Sequence, residues 1–455
     1  MARRARTKAP PLAFFGACAR LGQRAWARYS CWEMALIGLG LASFIGVVVL
    51  LFMPIGKGPA LLTAAMPVPA AADPAFPGFV SRAMTIPLDM TAAPQILEDG
   101  EGMVPPLLQD LKSATGSISL MAYIWKDGHL SDQVLAVLTE RARAGVKVRV
   151  LLDGYGGLHA PDGKLDRLRQ AGGQVATFRA LSPTPWSFMH NVKRNHRRAI
   201  VIDDRIAYTG GLGIDDVWLG RARNPDEWHD YLFRFGGGMA ARLQGSFAEL
   251  WAATTGELIA AAPARAPAAS DGTTPAVMLS AAPSPGDAPM ELFLLYALLS
   301  ARREIAIETP YFLPNATMRK VLMDKARSGV TVTILVPGEH TDEKSVRWAG
   351  ERIYGELMAG GVRIHRYQPT FTHAKLLMVD GVFSVIGSAN LDIRSRQIND
   401  EVAIGLQDAA FTQALHRAWE RDLGRAQRID PAAWARRGLL QRFLEIASQV
   451  FVQQY

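Results

Sequence analysis

At 455 residues, 49% hydrophobic and 20% charged, the chain has the composition of a folded protein with a sizeable core, which excludes disorder and fibrous repeats as its main state. The net charge of +8 sits mostly in the tail: Arg3, Arg4, Arg6, Lys8, Arg20, Arg24 and Arg28 against Glu33 give residues 1–33 a charge of +6, leaving +2 for the rest. A near-neutral body lacks the basic field of a duplex binder, so no nucleic-acid partner is expected.

Residues 1–33 read as a basic tail on the cytoplasmic side. Its cysteines, Cys18 and Cys31, are the only two in the chain, so neither a disulfide nor a cysteine-ligated zinc holds the body together. Met34 to Met53 follows as an uncharged run long enough to cross the hydrocarbon layer as a helix, with Trp32 at the interfacial position. The basic block before it orients the body away from the cytoplasm. A cleaved signal peptide is the rival, with Ala64–Ala65 or Ala70–Ala72 as a cleavage site. The long polar leader and long apolar core favour an uncleaved anchor. Residues 54–85, rich in Pro and Ala, read as a tether with no need of fixed structure.

The body reads as a duplication. From Ser117 a strand (SISLMAYIW), a helix (DQVLAVLTERARAGV) and a strand (KVRVLLDG) follow one another, and the order returns from Glu304 as EIAIETPYFLP, MRKVLMDKARSGV and VTVTILVPG. Gly145 and Gly329 are the expected helix stops. RQAGGQVATF at 169–178 answers MAGGVRIHRY at 358–367, and each precedes a strand opened by a histidine, His196 or His373. The expectation is two α/β repeats with mostly parallel sheets about a pseudo-twofold axis, at 86–262 and 276–430, joined by a low-complexity linker at 263–275. The C-terminal segment, 431–455, contains an amphipathic stretch suited either to docking on its own domain or to a membrane surface.

Chemistry-bearing residues concentrate where the repeats agree. In the second, His373, Lys375, Asp380, Gly387, Ser388 and Asn390 lie within eighteen residues. His373 and Lys375 are two apart on an extended segment and share a face. A histidine beside a fixed cation suits attack on, or protonation at, a phosphodiester, with Ser388 and Asn390 as donors to phosphate oxygens. The first repeat offers His196, Arg198, Asp203, Gly210, Gly211 and Gly213 in the same places, with Gly210 and Gly211 allowing the backbone to approach a phosphate closely. One histidine per repeat allows one to attack phosphorus while the other protonates the leaving oxygen, and this scheme demands no metal or cofactor.

The spacing His-x-Lys, Asp, Gly-Ser, x, Asn resembles that of the phospholipase D superfamily. Within it the chain is most similar to bacterial cardiolipin synthases, through NHRRAIVID with TGGLGI, through ETPYFLP, and through HAKLLMVD with GSANLDIRSRQINDEV. The resemblance covers roughly residues 105–455. It implies a phosphatidyltransferase that condenses two phosphatidylglycerol molecules to cardiolipin and glycerol through a phosphohistidine on His196, with His373 as general acid and base. Together with the one long apolar run at 34–53, it implies a single-pass protein of the bacterial inner membrane. The first repeat departs from the pattern at Arg198, where lysine is expected, and at Gly213, where asparagine is expected. A phospholipase D-type hydrolase, a nuclease of the same superfamily, and a lipid-binding scaffold with a decayed first motif are the alternatives; oligomeric state is left open.

Other residues carry two readings each. Asp203 and Asp380 end their strands as turn formers or as acceptors that orient the histidines. Glu401 stands where relatives place an acid near the site, or is a surface carboxylate. Trp228 and Asp230 in EWHDY resemble a family segment, although core packing explains the tryptophan equally well. His190, Lys193 and Arg194 form a phosphate-attracting lip; a zinc site using His190 and His196 has no third ligand at recognisable spacing. Tyr311, Phe312 and Leu313 line an acyl groove or simply end a strand.

Overall fold

The computed structural model of this chain describes residues 67–184, 187–259, 272–284 and 287–451, with scattered positions between 30 and 43. By internal contacts the chain divides into residues 1–54 and 55–455. In the first unit the described positions 32–33, 35–41 and 43 are helical, and Leu36, Ile37, Leu39 and Leu41 are exposed. Much of the expected span at 34–53 lies outside the described residues, as do most of the tail, the end of the expected first repeat at 260–262 and the linker positions 263–271. Among the described residues no helix is long and apolar enough to cross a membrane.

The second unit is built on two sheets of mixed α/β architecture. In the seven-stranded sheet, Ser117–Ala122, Lys147–Asp153 and Gln174–Phe178 run parallel, as strand–helix–strand crossovers require. On the other side of Ser117–Ala122 lie Ala199–Ile202, Ile206–Gly210, Tyr231–Gly236 and Gln95–Glu98, every pair antiparallel. The nine-stranded sheet repeats the plan. Glu304–Glu308, Thr331–Pro337 and Arg363–Tyr367 are parallel, and Leu376–Val379, Phe383–Gly387 and Glu401–Gln407 continue antiparallel. The sheets are therefore mixed, not mostly parallel. Both motif strands turn straight back through a short hairpin, and a hairpin joins only antiparallel neighbours.

Residues 67–91 also depart from expectation. The helix Phe76–Met84 buries Phe76 and Val80 in the second repeat's core, and Leu88–Thr91 pairs with Thr274–Ala281 at that sheet's edge. The end of the expected tether, and the strand after it, are thus part of the second repeat's fold. The linker's last two residues, Thr274 and Pro275, likewise belong to a strand.

Period-two alternation decides which faces meet. Ala199 and Val201 of one motif strand and Leu376 and Met378 of the other enter a core shared by the two sheets, together with Met121, Leu151, Leu335 and Ile404. Their alternate neighbours, Ile200 and Ile202 in one sheet and Leu377 and Val379 in the other, face the outer helical layers. Both faces of each motif strand are buried, so the histidines just before them are held on a rigid support.

Candidate active site

The backbone joins the repeats where the histidines sit. Asn195 forms a bridge with Asp400, and Thr372 with His229. The His196 amide donates to the Asp400 carbonyl at 2.9 Å, and the His373 amide to the His229 carbonyl at 2.7 Å. Each histidine is thereby set beside the acid that follows its bridge partner, and that acid comes from the other repeat. His196 Nδ1 lies 2.9 Å from Glu401 Oε1 and 3.1 Å from Oε2. His373 Nδ1 lies 2.7 Å from Asp230 Oδ2. A carboxylate at Nδ1 holds the proton there and leaves Nε2 as the lone-pair nitrogen.

The acids are themselves fixed. Glu401 accepts from Ser388 Oγ at 2.5 Å and Ser395 Oγ at 2.6 Å. Asp230 accepts from the Tyr231 amide at 2.8 Å and from Trp218 Nε1 at 2.9 Å. Gly387 and Gly210, at φ of 147° and 148°, occupy a backbone region open to glycine. A Cβ there would stand 2.2 Å from the Val402 carbonyl oxygen or 2.4 Å from that of Tyr231, so glycine brings each acid-bearing strand close. At Gly211 a Cβ would lie 2.1 Å from the Asp230 carboxylate. Gly210 thus makes room for the strand that follows Asp230 and Gly211 for the Asp230 carboxylate, and Ser388 spends its proton on Glu401; all three were expected at the phosphate. Asn390 keeps a buried Oδ1 with no hydrogen-bond partner among the described residues.

Arg198 and Lys375 supply the cations. Arg198 Nη2 lies 3.2 Å from His196 Nε2, its guanidinium stands over the Trp218 ring at 5.8 Å, and its Nε and Nη1 are buried without hydrogen-bond partners among the described residues. Lys375 Nζ donates to the His373 carbonyl at 2.6 Å and lies 3.1 Å from both ring nitrogens of His373. Buried N–H groups of a guanidinium without acceptors are costly unless an anion completes them.

Burial sets the protonation. It pushes His196 below the ordinary imidazole value against the opposing pull of Glu401, and pushes His373 well below it with Lys375 adding to the effect. Lys375 itself is brought down to about 7, by burial first, with Asp230 opposing. An anion in the site would restore the lysine's charge, so binding takes up a proton once the pH exceeds about 7. The affinity for a competitive oxyanion such as tungstate is expected to fall as pH rises above that point, by up to about tenfold per unit. Inhibition constants measured from pH 6 to 9 check this; a flat profile would count against it.

Asp203 and Asp380 stand elsewhere. Asp203 accepts from the Thr115, Gly116 and Ser117 amides at 2.7–2.9 Å, and Asp380 from those of Arg302, Arg303 and Glu304 at 2.7–2.8 Å. With φ of 53° and 56° they open the hairpin turns, where Asp tolerates the left-handed region, and they tie each turn to the start of the central strand. They are turn formers and orient neither histidine. Asp203→Ala is expected to cost about 1–3 kcal/mol of folding stability through the lost acceptor, while the folded enzyme keeps its turnover. Chemical denaturation and kcat together test this. His190 Nε2 lies 3.0 Å from the Ala180 carbonyl oxygen.

Comparison with known proteins settles the family. A family model described as cardiolipin synthase, PLD-like domain, matches residues 107–224 and 294–423. The chain belongs to this cardiolipin synthase, phospholipase D-like family. It is 31% identical over 359 residues to cardiolipin synthase A of Erwinia tasmaniensis, covering 77% of this chain and 73% of that protein. With minor cardiolipin synthase ClsB of Bacillus subtilis it shares 30% identity over 348 residues, 76% of this chain and 85% of the relative. Among solved structures, phosphatidylserine synthase of Haemophilus influenzae superposes with a TM-score of 0.61 at 13% identity, over 83% of this chain and all of that one, a likeness of fold.

Against the family pattern, the structure accounts for Gly213. A Cβ there would stand 2.7 Å from the Trp218 ring, so the indole already fills the space that a side chain at this position would need. Trp218 holds Asp230, underlies Arg198 and packs edge-on to His373 at 5.3 Å. Sequence reasoning missed it, and the missing asparagine was its only signal. Tyr123, edge-on to the His196 ring at 4.9 Å, and Ser395 were missed too, since neither belongs to the repeated spacing.

Proposed function

We propose that this protein condenses two phosphatidylglycerol molecules into cardiolipin and glycerol. The observation that carries the reading is the pair of histidines with exchanged acids, each presenting Nε2 beside a buried cation. His196 Nε2 attacks the phosphorus of the first lipid. The bond from phosphorus to the glycerol oxygen breaks, and that oxygen takes a proton from Nε2 of His373 in its imidazolium form, which Asp230 favours against burial and Lys375. Arg198 and Lys375 hold the non-bridging oxygens, and Asn390 is the remaining polar side chain for them. The glycerol hydroxyl of the second lipid then gives its proton to His373 and attacks phosphorus, the bond to His196 breaks, and cardiolipin leaves. Glu401 and Asp230 carry the imidazolium charge at each stage.

The uncharged run at 34–53 behind a basic tail supports a single-pass anchor in the bacterial inner membrane with the N-terminus in the cytoplasm. A tether of this kind raises the concentration of the site at the lipid surface. The deciding experiment is the lipid extract of a strain without cardiolipin synthesis, expressing the wild type or His373→Ala. Cardiolipin with the wild type alone is the expected result. Phosphatidic acid in its place would identify a hydrolase, and an unchanged extract would overturn the reading.

A further inference from the structure

The helix Leu439–Ala447 is docked the wrong way round for a soluble protein. Its buried side is polar: Glu445 is 1% exposed and pairs with Arg437 at 2.6 and 2.7 Å, and Gln441 reaches Glu351 at 3.2 Å. Just beyond it, Gln449 donates to the Ala349 carbonyl at 3.1 Å. The outer side is apolar, with Leu439 82%, Leu440 72%, Phe443 64% and Ile446 57% exposed. A helix held only by packing on its own domain would turn these residues inward. This one satisfies its polar side on Arg437 and on the helix Lys344–Ala359 and leaves a contiguous apolar strip facing out.

What surrounds the strip selects its occupant. Arg436 and Arg442 flank it, both exposed and without an ion pair among the described residues, while the one acid of the helix is neutralised underneath. Apolar side chains rimmed by arginine match an anionic bilayer surface, with acyl chains below and headgroup phosphates at the edge. A chain of contacts runs from the segment after the helix toward the site. Ala349, which receives Gln449, packs with Val346 against Leu313 and Tyr311, and the Tyr311 hydroxyl donates to Asp342, whose carboxylate feels the charge of Lys375.

We infer that Leu439–Ala447 is a second membrane contact, lying on an anionic bilayer with Leu439, Leu440, Phe443 and Ile446 among the acyl chains and Arg436 and Arg442 among the headgroups. It rests on the lipid-substrate reading only for the choice of a bilayer over another apolar partner. Held there, the second repeat would be fixed at the surface independently of the N-terminal run.

The test uses the full chain reconstituted into vesicles. Phe443→p-benzoylphenylalanine is compared on photolysis with Lys320→p-benzoylphenylalanine, an exposed position on the helix Ala316–Arg327. Lipid adducts at 443 are expected to exceed those at 320 roughly tenfold, and to drop about fivefold for each lost arginine contact when phosphatidylcholine replaces phosphatidylglycerol. An adduct with a second copy, an adduct with residues 34–53 of the same chain, or labelling no stronger than at 320 would each overturn the inference. In parallel, Leu440→Gln with Phe443→Gln is expected to lower turnover in vesicles roughly tenfold and leave it unchanged in detergent micelles. Equal turnover of this variant and the wild type in vesicles would also overturn it. The photolabelling does not depend on catalysis, so a protein that labels lipid but makes no cardiolipin would refute the proposed reaction and leave this surface standing.

Discussion

Replacing either histidine by alanine is expected to lower turnover by roughly four orders of magnitude or more, with the protein still folded, since groups that act as a unit lose most of their effect when one is removed. The two variants are expected to differ in how they fail. His373→Ala keeps the nucleophile at His196 with its Glu401 contact intact, so a substrate whose leaving group needs no proton is expected to charge the enzyme and stop there. His196→Ala has no nucleophile and is expected to form no acid-labile, base-stable phosphoenzyme from the same substrate. Rapid quench with phosphorus-labelled lipid reads this directly. A phosphoenzyme that survives His196→Ala and disappears in His373→Ala would reverse the assignment, and full activity in either variant would end the two-histidine mechanism. Exchange of the acids gives a finer check: Asp230→Asn and Glu401→Gln are each expected to cost about 10²–10⁴ in kcat through the wrong tautomer.

Restoring the family asparagine is expected to harm the enzyme. Read from the pattern alone, Gly213→Asn together with Arg198→Lys would repair a weakened first repeat. In the structure a Cβ at 213 meets the Trp218 ring at 2.7 and 2.8 Å and Ile124 at 3.2 Å, inside a packed layer. Overpacking of this kind costs about 1–3 kcal/mol, and the group it displaces holds Asp230. With Asp230 adrift His373 loses its tautomer, so kcat is expected to fall by roughly 10²-fold or more. Trp218→Phe, which keeps an aromatic side chain but loses part of the buried ring and the indole N–H, is expected to show a smaller loss, about tenfold. Thermal unfolding and kcat on the purified variants separate the two effects. An active Gly213→Asn enzyme would mean that Trp218 has somewhere else to go.

The first repeat is therefore compensated, not decayed. Arg198 stacks on the same indole that excludes an asparagine, and its unpaired N–H groups still point to an anion. This withdraws the observations that favoured a scaffold.

Local sequence was enough for the duplication, since the strand–helix–strand order, the Gly145 and Gly329 stops and the two histidine-led strands are all short-range patterns. It was enough too to single out His196, Arg198, His373 and Lys375 as candidates, because each histidine and cation pair sits two residues apart on one extended segment. The acids were legible only in part: resemblance singled out Glu401 and Asp230, but not which histidine each would meet. Asp203 and Asp380 are near the histidines in sequence but are spent on hairpin turns, while Asp230 and Glu401 are brought in by bridges between the repeats, from 143 and 205 residues away. No periodicity encodes which repeat's acid meets which histidine. Only the pairing of Asn195 with Asp400 and of Thr372 with His229 decides it, and those backbone hydrogen bonds form only once the two sheets have closed on a common core. The outward face of Leu439–Ala447 has the same origin: its amphipathic period is legible in the sequence, but which side turns inward was chosen by the polar partners Glu351 and Arg437.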